Sequence, residues 1–229
     1  MEHVTLRDDD GVVVMTVDRP PANAMDIPLL RDVTEAIAQV ADDVPRALVL
    51  AGRDGFFSAG ADLKAVPGYG PEDQREMVQS INAMALGAYE LPFPVIGAIT
   101  GHAIAGGLVL ALCTDIRIAS SVGRYGLTEV KVGVPYPQAA IGVVAAELPP
   151  HAARVLALGN ELIDAAECRR LGVFDEVVEP HEVVSRAREL AAGLAAFPLD
   201  VYTHTKRDLR SETLARLRAA AAGDPLLAR

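Results

Sequence analysis

Tryptophan is absent from this 229-residue sequence, and its aromatics amount to five Phe and five Tyr. With 51% of the residues apolar, the core has to be built from Ala, Val, Leu and Ile, which suits helices packed on aliphatic strands. Basic residues are scarce beside acidic ones: 21 Lys and Arg face 31 Asp and Glu, a formal charge of −10. No basic run stands out. That balance argues against nucleic acid or an anionic membrane surface as a partner. Only two cysteines occur, Cys113 and Cys168. They cannot form a disulfide framework, and neither belongs to a CxxC metal pair. Long hydrophobic runs are missing too: the longest, Ala103–Cys113, falls short of the roughly 18–20 residues of a bilayer span. The opening residues lack the basic and apolar regions of a signal peptide. From these absences we expect a cytoplasmic protein without a metal centre.

What is present is an alternation of strand and helix signals. Val4–Arg7 and Val12–Val17 flank Asp8-Asp9-Asp10-Gly11, a hairpin signal,. Leu30, Val33, Ile37 and Val40 recur at helical spacing and predict a helix over 27–40,. A second helix, opened by Pro71, is predicted over 71–89,. Aliphatic strands are expected at 47–51, 94–99 and 115–119. Beyond them helices predominate, over 138–148, 151–158, 164–171 and 181–195, around a short strand at Val177-Val178. The pattern is that of an α/β fold, with residues 1–180 as its core and 181–229 as a helical C-terminal region.

Two segments, Gly55–Lys64 and Gly101–Gly107, each follow a buried strand. Taken singly, each reads as a glycine turn. Neither is a standard phosphate cradle, because Ala103 interrupts GxGxxG and Leu108 stands where a P-loop needs lysine,. Taken together, each can aim one backbone N–H at a common point, which makes a two-donor oxyanion hole.

Five segments resemble, in order and spacing, the crotonase or enoyl-CoA hydratase/isomerase superfamily. They are Asp18-Arg19-Pro20 with Asn23-Ala24-Met25; Phe57-Ser58-Ala59-Gly60-Ala61-Asp62-Leu63; Pro94–Ala98 with Gly101–Gly107; Cys113–Arg117; and Tyr125-Gly126-Leu127-Thr128-Glu129. The resemblance implies a crotonase-like spiral of ββα units and an acyl-CoA thioester as substrate, with CoA entering as part of it and no other cofactor. It also implies homotrimers or hexamers, for which Val183–Leu194 offers an apolar face,. Carried over by position, Ala61 and Gly106 supply the two N–H groups that hold a thioester enolate, and Glu129 is the acid/base. Ala22, Ala24, Met25, Ala59, Asp62, Leu63, Lys64, Gly107 and Val109 are the implied substrate and CoA contacts. Arg19 and Lys64 are candidate partners for the CoA phosphates.

The departures from the family pattern bear on the reaction. Its hydratases use two glutamates around the added water. One matches Glu129, while the other position holds Val109. The Pro-Gly-rich turn usual after the first is replaced by Val134-Pro135-Tyr136-Pro137-Gln138-Ala139-Ala140, and the sequence ends at Arg229, ahead of the family's usual final helices. A single carboxylate suffices for a 1,3-proton shift, so double-bond isomerisation is expected ahead of hydration. The other readings are a non-catalytic acyl-CoA binder and thioester hydrolysis or decarboxylation. His102 reads as a packing residue at a strand end, and no histidine is placed to build a triad on Ser58.

Overall fold

The computed structural model describes residues 1–228. It opens on the expected hairpin, β1 (Val4–Asp9) and β2 (Val12–Val17). Asp10 and Gly11 both take positive φ, 52° and 82°, the two-residue turn whose twist matches that of the strands it joins. Then comes α1 (Ile27–Asp43), where the Asp26 carboxylate accepts the Leu29 N–H at 3.0 Å as an N-cap,. Leu30, Val33, Ile37 and Val40 are all buried, as their spacing requires.

From there the chain repeats one device: a strand in a large sheet, a short strand in a small sheet, then a helix. β3 (Ala47–Ala51) leads to β4 (Gly55–Ser58) and α2 (Pro71–Glu90). β5 (Val95–Ile99) leads to β6 (Gly101–Ile104) and α3 (Gly106–Leu112). β7 (Ile116–Ser120) leads to β8 (Tyr125–Gly126) and α4 (Glu129–Val132). After α5 (Gln138–Glu147), α6 (Pro150–Ala153) and α7 (Ala165–Arg170), β9 (Glu176–Val178) returns to the large sheet. The sheet orders are β1-β2-β3-β5-β7-β9 and β4-β6-β8. Every pairing after the hairpin is parallel. Successive ββα turns therefore wind as a spiral, as the resemblance implies.

β3 and β5 are buried along their whole length, the condition of parallel strands with helices on both faces. On one face Leu48, Leu50, Val95 and Ile99 join the core beneath α1, α2 and α3. On the other, Val183, Ala187, Ala191 and Ala195 of α8 (Val183–Ala195) pack against Val49, Ile96 and Ile118. The apolar face expected to serve assembly is therefore covered within the chain, and α8 is a layer of the core.

The final helix, α9 (Leu199–Ala222), carries no strong apolar stripe, which is why periodicity does not mark it. Beside buried Leu214 and Leu217 it docks through charge. Lys206 Nζ and Arg210 Nη2 reach the Asp115 carboxylate at 2.8 and 3.0 Å. The Tyr202 hydroxyl and the Val95 N–H donate to Asp115 Oδ2 at 3.1 and 2.8 Å. The Arg210 guanidinium lies 4.0 Å from the centre of the Tyr89 ring,. Among the described residues no helix is long and apolar enough to cross a membrane.

Two segments read as loops prove to hold strands, β4 and β6. Each is four residues long and contains glycine, so neither shows an alternating pattern. Glycine is required at 101, where a Cβ would lie 2.1 Å from the Gly55 carbonyl oxygen.

Past α9, Asp224 folds back beneath α5. Its Oδ2 accepts from Asn82 Nδ2 at 2.9 Å and from the Gln138 N–H at 2.8 Å, and its Oδ1 accepts the Leu226 N–H at 3.0 Å. Asn82 Oδ1 takes the Ala139 N–H at 2.9 Å. Burial alone would raise the proton affinity of Asp224, but these donors outweigh it and hold the carboxyl below its ordinary range,. Its contribution to stability is thus present above the ordinary carboxylate pKa and is lost as pH falls through the lower folded value. Asp224→Ala should cost about 1–3 kcal/mol in urea unfolding at pH 7, since it leaves buried donors unpaired. The difference from wild type should shrink once the pH drops below about 4.

Candidate active site

The ends of β4 and β6 deliver two loops to one place. Gly60, at φ +76°, lies so close to the second loop that a Cβ would sit 2.7 Å from Ala105 Cβ and 3.2 Å from the Gly106 nitrogen. Asn23 builds the first loop from beneath. It is fully buried, and its Nδ2 donates to Val17 O at 2.8 Å and Phe57 O at 3.1 Å. Ser58 Oγ donates to Asn23 O at 2.7 Å and accepts the Gly60 N–H at 3.1 Å. Ser58 is therefore a loop anchor, in keeping with its lack of a triad partner.

Backbone pairing completes the arrangement. The Met25 N–H donates to Gly60 O at 2.7 Å, and the Asp62 N–H donates to Met25 O at 2.8 Å. This bridge leaves the Ala61 N–H without an acceptor among the described residues. In the second loop Ala105 takes φ 52° and ψ −127°, a region sparsely populated by any residue but glycine and costing about 1–3 kcal/mol. Its own N–H is fixed to Gly126 O at 2.8 Å. The strain falls directly before Gly106, the first residue of α3, whose N–H likewise has no acceptor among the described residues.

Between the loops lies a cavity of about 90 Å³. Of the residues expected from sequence, Met25, Ala59, Ala61, Leu63, Gly106, Val109 and Glu129 line it. Sequence reading missed Met77, Ile81, Ala105, Thr128 and Tyr136, which also line it. Met77 and Ile81 sit on the apolar face of α2 and read only as core; Tyr136 was visible only as part of a replaced turn. Larger hollows of about 600 and 400 Å³ run along α9. They share none of these residues, and their Lys206 and Arg210 are committed to Asp115.

The remaining expected contacts stand outside the cavity. Ala22 O accepts the Ala59 N–H at 3.0 Å, and Ala24 O accepts from Arg19 Nη1 at 2.9 Å. Arg19 pairs with Asp26 at 2.6 Å and Asp62 at 3.2 Å, so both Arg19 and Asp62 brace the loop. Gly107 is a packing position: a Cβ there would lie 2.4 Å from Ser58 O. Lys64 is exposed. His102 accepts the Arg124 N–H at Nδ1 over 3.1 Å and stacks on Phe56 at 4.7 Å between ring centres, the packing role expected of it.

Glu129 opens α4 and is 9% exposed. Its Oε2 and the Tyr136 hydroxyl are both buried without a hydrogen-bond partner. The two groups are near enough to shift each other's proton affinity, although no hydrogen bond of ordinary geometry joins them. Burial pushes the Glu129 carboxyl above its usual value, with Tyr136 and the backbone N–H groups opposing part of the rise,. Burial and the Glu129 charge together raise the Tyr136 hydroxyl well beyond the usual phenol range. Val109, in the position of the family's second glutamate, is fully buried and presents only methyl groups.

Against this geometry the relatives take their place. A profile of the enoyl-CoA hydratase/isomerase family matches residues 7–227, and the chain belongs to that family. It is 32% identical over 219 residues to a carnitinyl-CoA dehydratase of Salmonella arizonae, covering 92% of this chain and 84% of the relative. It is 35% identical over 207 residues to an (E)-benzylidenesuccinyl-CoA hydratase of Thauera aromatica, covering 86% and 78%. The crystal structure of human mitochondrial delta3-delta2-enoyl-CoA isomerase superposes with a TM-score of 0.90 at 28% identity, over 99% of this chain and 91% of that one. The family is thus one of acyl-CoA enzymes, and these similar proteins carry the names of a dehydratase, a hydratase and an isomerase.

The raised proton affinity of Glu129 has a thermodynamic signature. Below the ordinary carboxylate pKa it is protonated whether folded or unfolded and contributes nothing; as pH rises, the folded chain must carry a buried charge and loses stability,. Glu129→Gln should therefore raise the Tm at pH 8 while leaving it nearly unchanged at pH 4, as followed by calorimetry.

Proposed function

We propose that the protein moves the double bond of an unsaturated acyl-CoA thioester from C3 to C2. The observation that carries this reading is that Glu129 is the one carboxylate among the described residues that line a cavity whose α3 wall is Val109. Glu129 removes a proton from C2, and the electron pair spreads onto the thioester oxygen and C4. The N–H groups of Ala61 and Gly106 stabilise that enolate oxygen, a contribution worth about 10²–10³ in rate per donor. The protonated Glu129 then returns its proton to C4, so that atoms and charge balance with no second base. The thioester's CoA portion leaves along the segments 22–25 and 59–64, where exposed Lys64 can meet a phosphate. We further propose that the protein works in the cytoplasm as a trimer or a pair of trimers, burying the exposed side chains of Val130, Leu158 and Leu162. A 24.1 kDa species in light scattering at micromolar concentration would overturn the assembly.

Hydration of a 2-enoyl-CoA is the second reading. One specific observation favours it: the buried, unpartnered Tyr136 hydroxyl lines the same cavity as Glu129, a second polar group beside the carboxylate that can help orient an attacking water. Incubation with 3-enoyl-CoA and 2-enoyl-CoA separately, read by chromatography and mass, separates the two. Isomerisation leaves the mass unchanged; hydration adds one water. Glu129→Gln should lower turnover of 3-enoyl-CoA by about 10²–10⁴, the usual worth of a positioned acid–base group. CoA affinity should change little. Equal turnover by wild type and variant would remove Glu129 as the base, and binding without any turnover would identify an acyl-CoA binder. Val109→Glu should raise hydration of 2-enoyl-CoA, at some loss of stability from a charge placed in an apolar wall.

A further inference from the structure

We propose that Tyr136 is the positioning residue for Glu129: its hydroxyl donates a hydrogen bond to Oε2 of the ionised carboxylate and so leaves the second oxygen for the substrate carbon. The inference rests on Glu129 being the base, and it holds whether the chemistry is proton shift or hydration.

Three observations carry it. The first is the pair of orphan atoms. Glu129 Oε2 and Tyr136 Oη are both buried and both unpartnered, a state that is costly for each and relieved at once if they meet. Catalytic hydrogen bonds are often long in a ligand-free enzyme and tighten when substrate expels water.

The second is the stiffness of the segment that joins them. α4 ends at Gly133, in the left-handed region at φ 73°, with the Val134 N–H returned to Glu129 O at 3.0 Å. Tyr136 then stands between Pro135 and Pro137, each ring fixing its own φ, and Pro137 restricts Tyr136 to extended backbone,. Directly afterwards the Gln138 and Ala139 N–H groups are held by Asp224 and Asn82. The hydroxyl is thus placed by a backbone pinned on both sides.

The third is that, among the described residues, Glu129 and Tyr136 are the titratable side chains that line the cavity. α2 gives the cavity Met77 and Ile81, α3 gives Val109, and α5 gives Ala140, none of which titrates. Asp62, Lys64 and Lys131 lie outside it. Because the Tyr136 hydroxyl is raised far above the ordinary range, it stays protonated and remains a donor at any working pH. A donor to the charged form lowers the proton affinity of Glu129 and partly offsets burial,. Tyr136 therefore extends downward the pH range over which the base is ionised, against the larger effect of burial.

The test compares wild type, Tyr136→Phe and Glu129→Gln in pH profiles of kcat and kcat/KM. Phenylalanine keeps the ring and removes only the hydroxyl. Tyr136→Phe should stay active, with the acid limb moved upward by about one pH unit, the shift expected from losing a hydrogen bond to a charged group. Its kcat on the plateau should fall about tenfold with KM held within about twofold, since orientation is lost rather than binding. A carbon-13 titration of the Glu129 carboxyl by NMR should show the same upward shift without relying on turnover. Should the phenylalanine variant fold poorly, 3-fluorotyrosine placed at 136, a stronger donor, should move the Glu129 titration downward. Coincident titrations of wild type and Tyr136→Phe would overturn the proposal. If those titrations differ as expected while Glu129→Gln retains full turnover, the contact stands and Glu129 is not the base. That outcome overturns the positioning role by removing the base it serves.

Discussion

Close approach of backbone to backbone, at places where a side chain would not fit, is the constraint on which this molecule depends. Three such contacts tie β4, β6 and the segments that follow them to one another: residue 101 against 55, 60 against 105, and 107 against 58. Together they set the distance between the chain segments that leave β4 and β6. A single Cβ at any of the three would have to push those segments apart, since the atoms it meets are backbone or a Cβ and not the flexible end of a side chain. Ala61 and Gly106, the proposed donors, line one cavity because that spacing is fixed. Preorganised donors of this kind need no rearrangement when charge develops beside them. The strained Ala105 is the counterpart of that order, a conformation kept because its neighbours over-determine it,.

The cavity pairs this rigid frame with a single ionisable wall. Methyl and methylene groups from α2, α3 and the loop before α5 line it, and burial makes Glu129 hold its proton more tightly. A carboxyl so placed sits nearer to the proton affinity of a carbon acid than a solvated one would, as the proposed base requires. Elsewhere the chain treats charge in the opposite way. Asp115 and Asp224 are surrounded by donors and serve as fixed anchors, holding α9 and the start of α5 in place. Glu129 Oε2 is left without a partner while Asp115 and Asp224 are ringed by donors, a contrast that supports the proposal of Glu129 as the base.

Much of this was legible in the sequence. The hairpin, α1, α2 and the aliphatic strands announced themselves through period and turn chemistry, because each buries a continuous apolar face. β4 and β6 did not, since strands of four residues with glycine in them carry no alternation. α9 fell within the expected helical C-terminal region but was given no bounds, because half of its inward face is Lys206 and Arg210 beside Leu214 and Leu217, a stripe that hydrophobic periodicity sees poorly. In the site, Glu129, Ala61, Gly106 and Val109 were marked by their places in the family resemblance, and all four line the cavity. Asp62, Gly107 and Arg19 shared those motifs yet do structural work, because a motif records everything a loop needs to fold as well as what it presents to a ligand. Tyr136 lay in the part of the chain that departs from the pattern, where resemblance is silent and only its place in the cavity with Glu129 gives it meaning.

The anchoring of α5 has a kinetic side. The Asn82–Asp224 hydrogen bond joins residues 142 apart in sequence, and the Gln138–Asp224 bond joins residues 86 apart. Contacts of such separation bear the largest loop-closure entropy and are rewarded only after the intervening chain is compact. The spiral of sheets can therefore consolidate while the Pro135–Pro137 segment is still unfastened. Fastening the wall that carries the Tyr136 hydroxyl thus depends on residue 224, far along the chain, while the frame of the two loops is built from segments before residue 127.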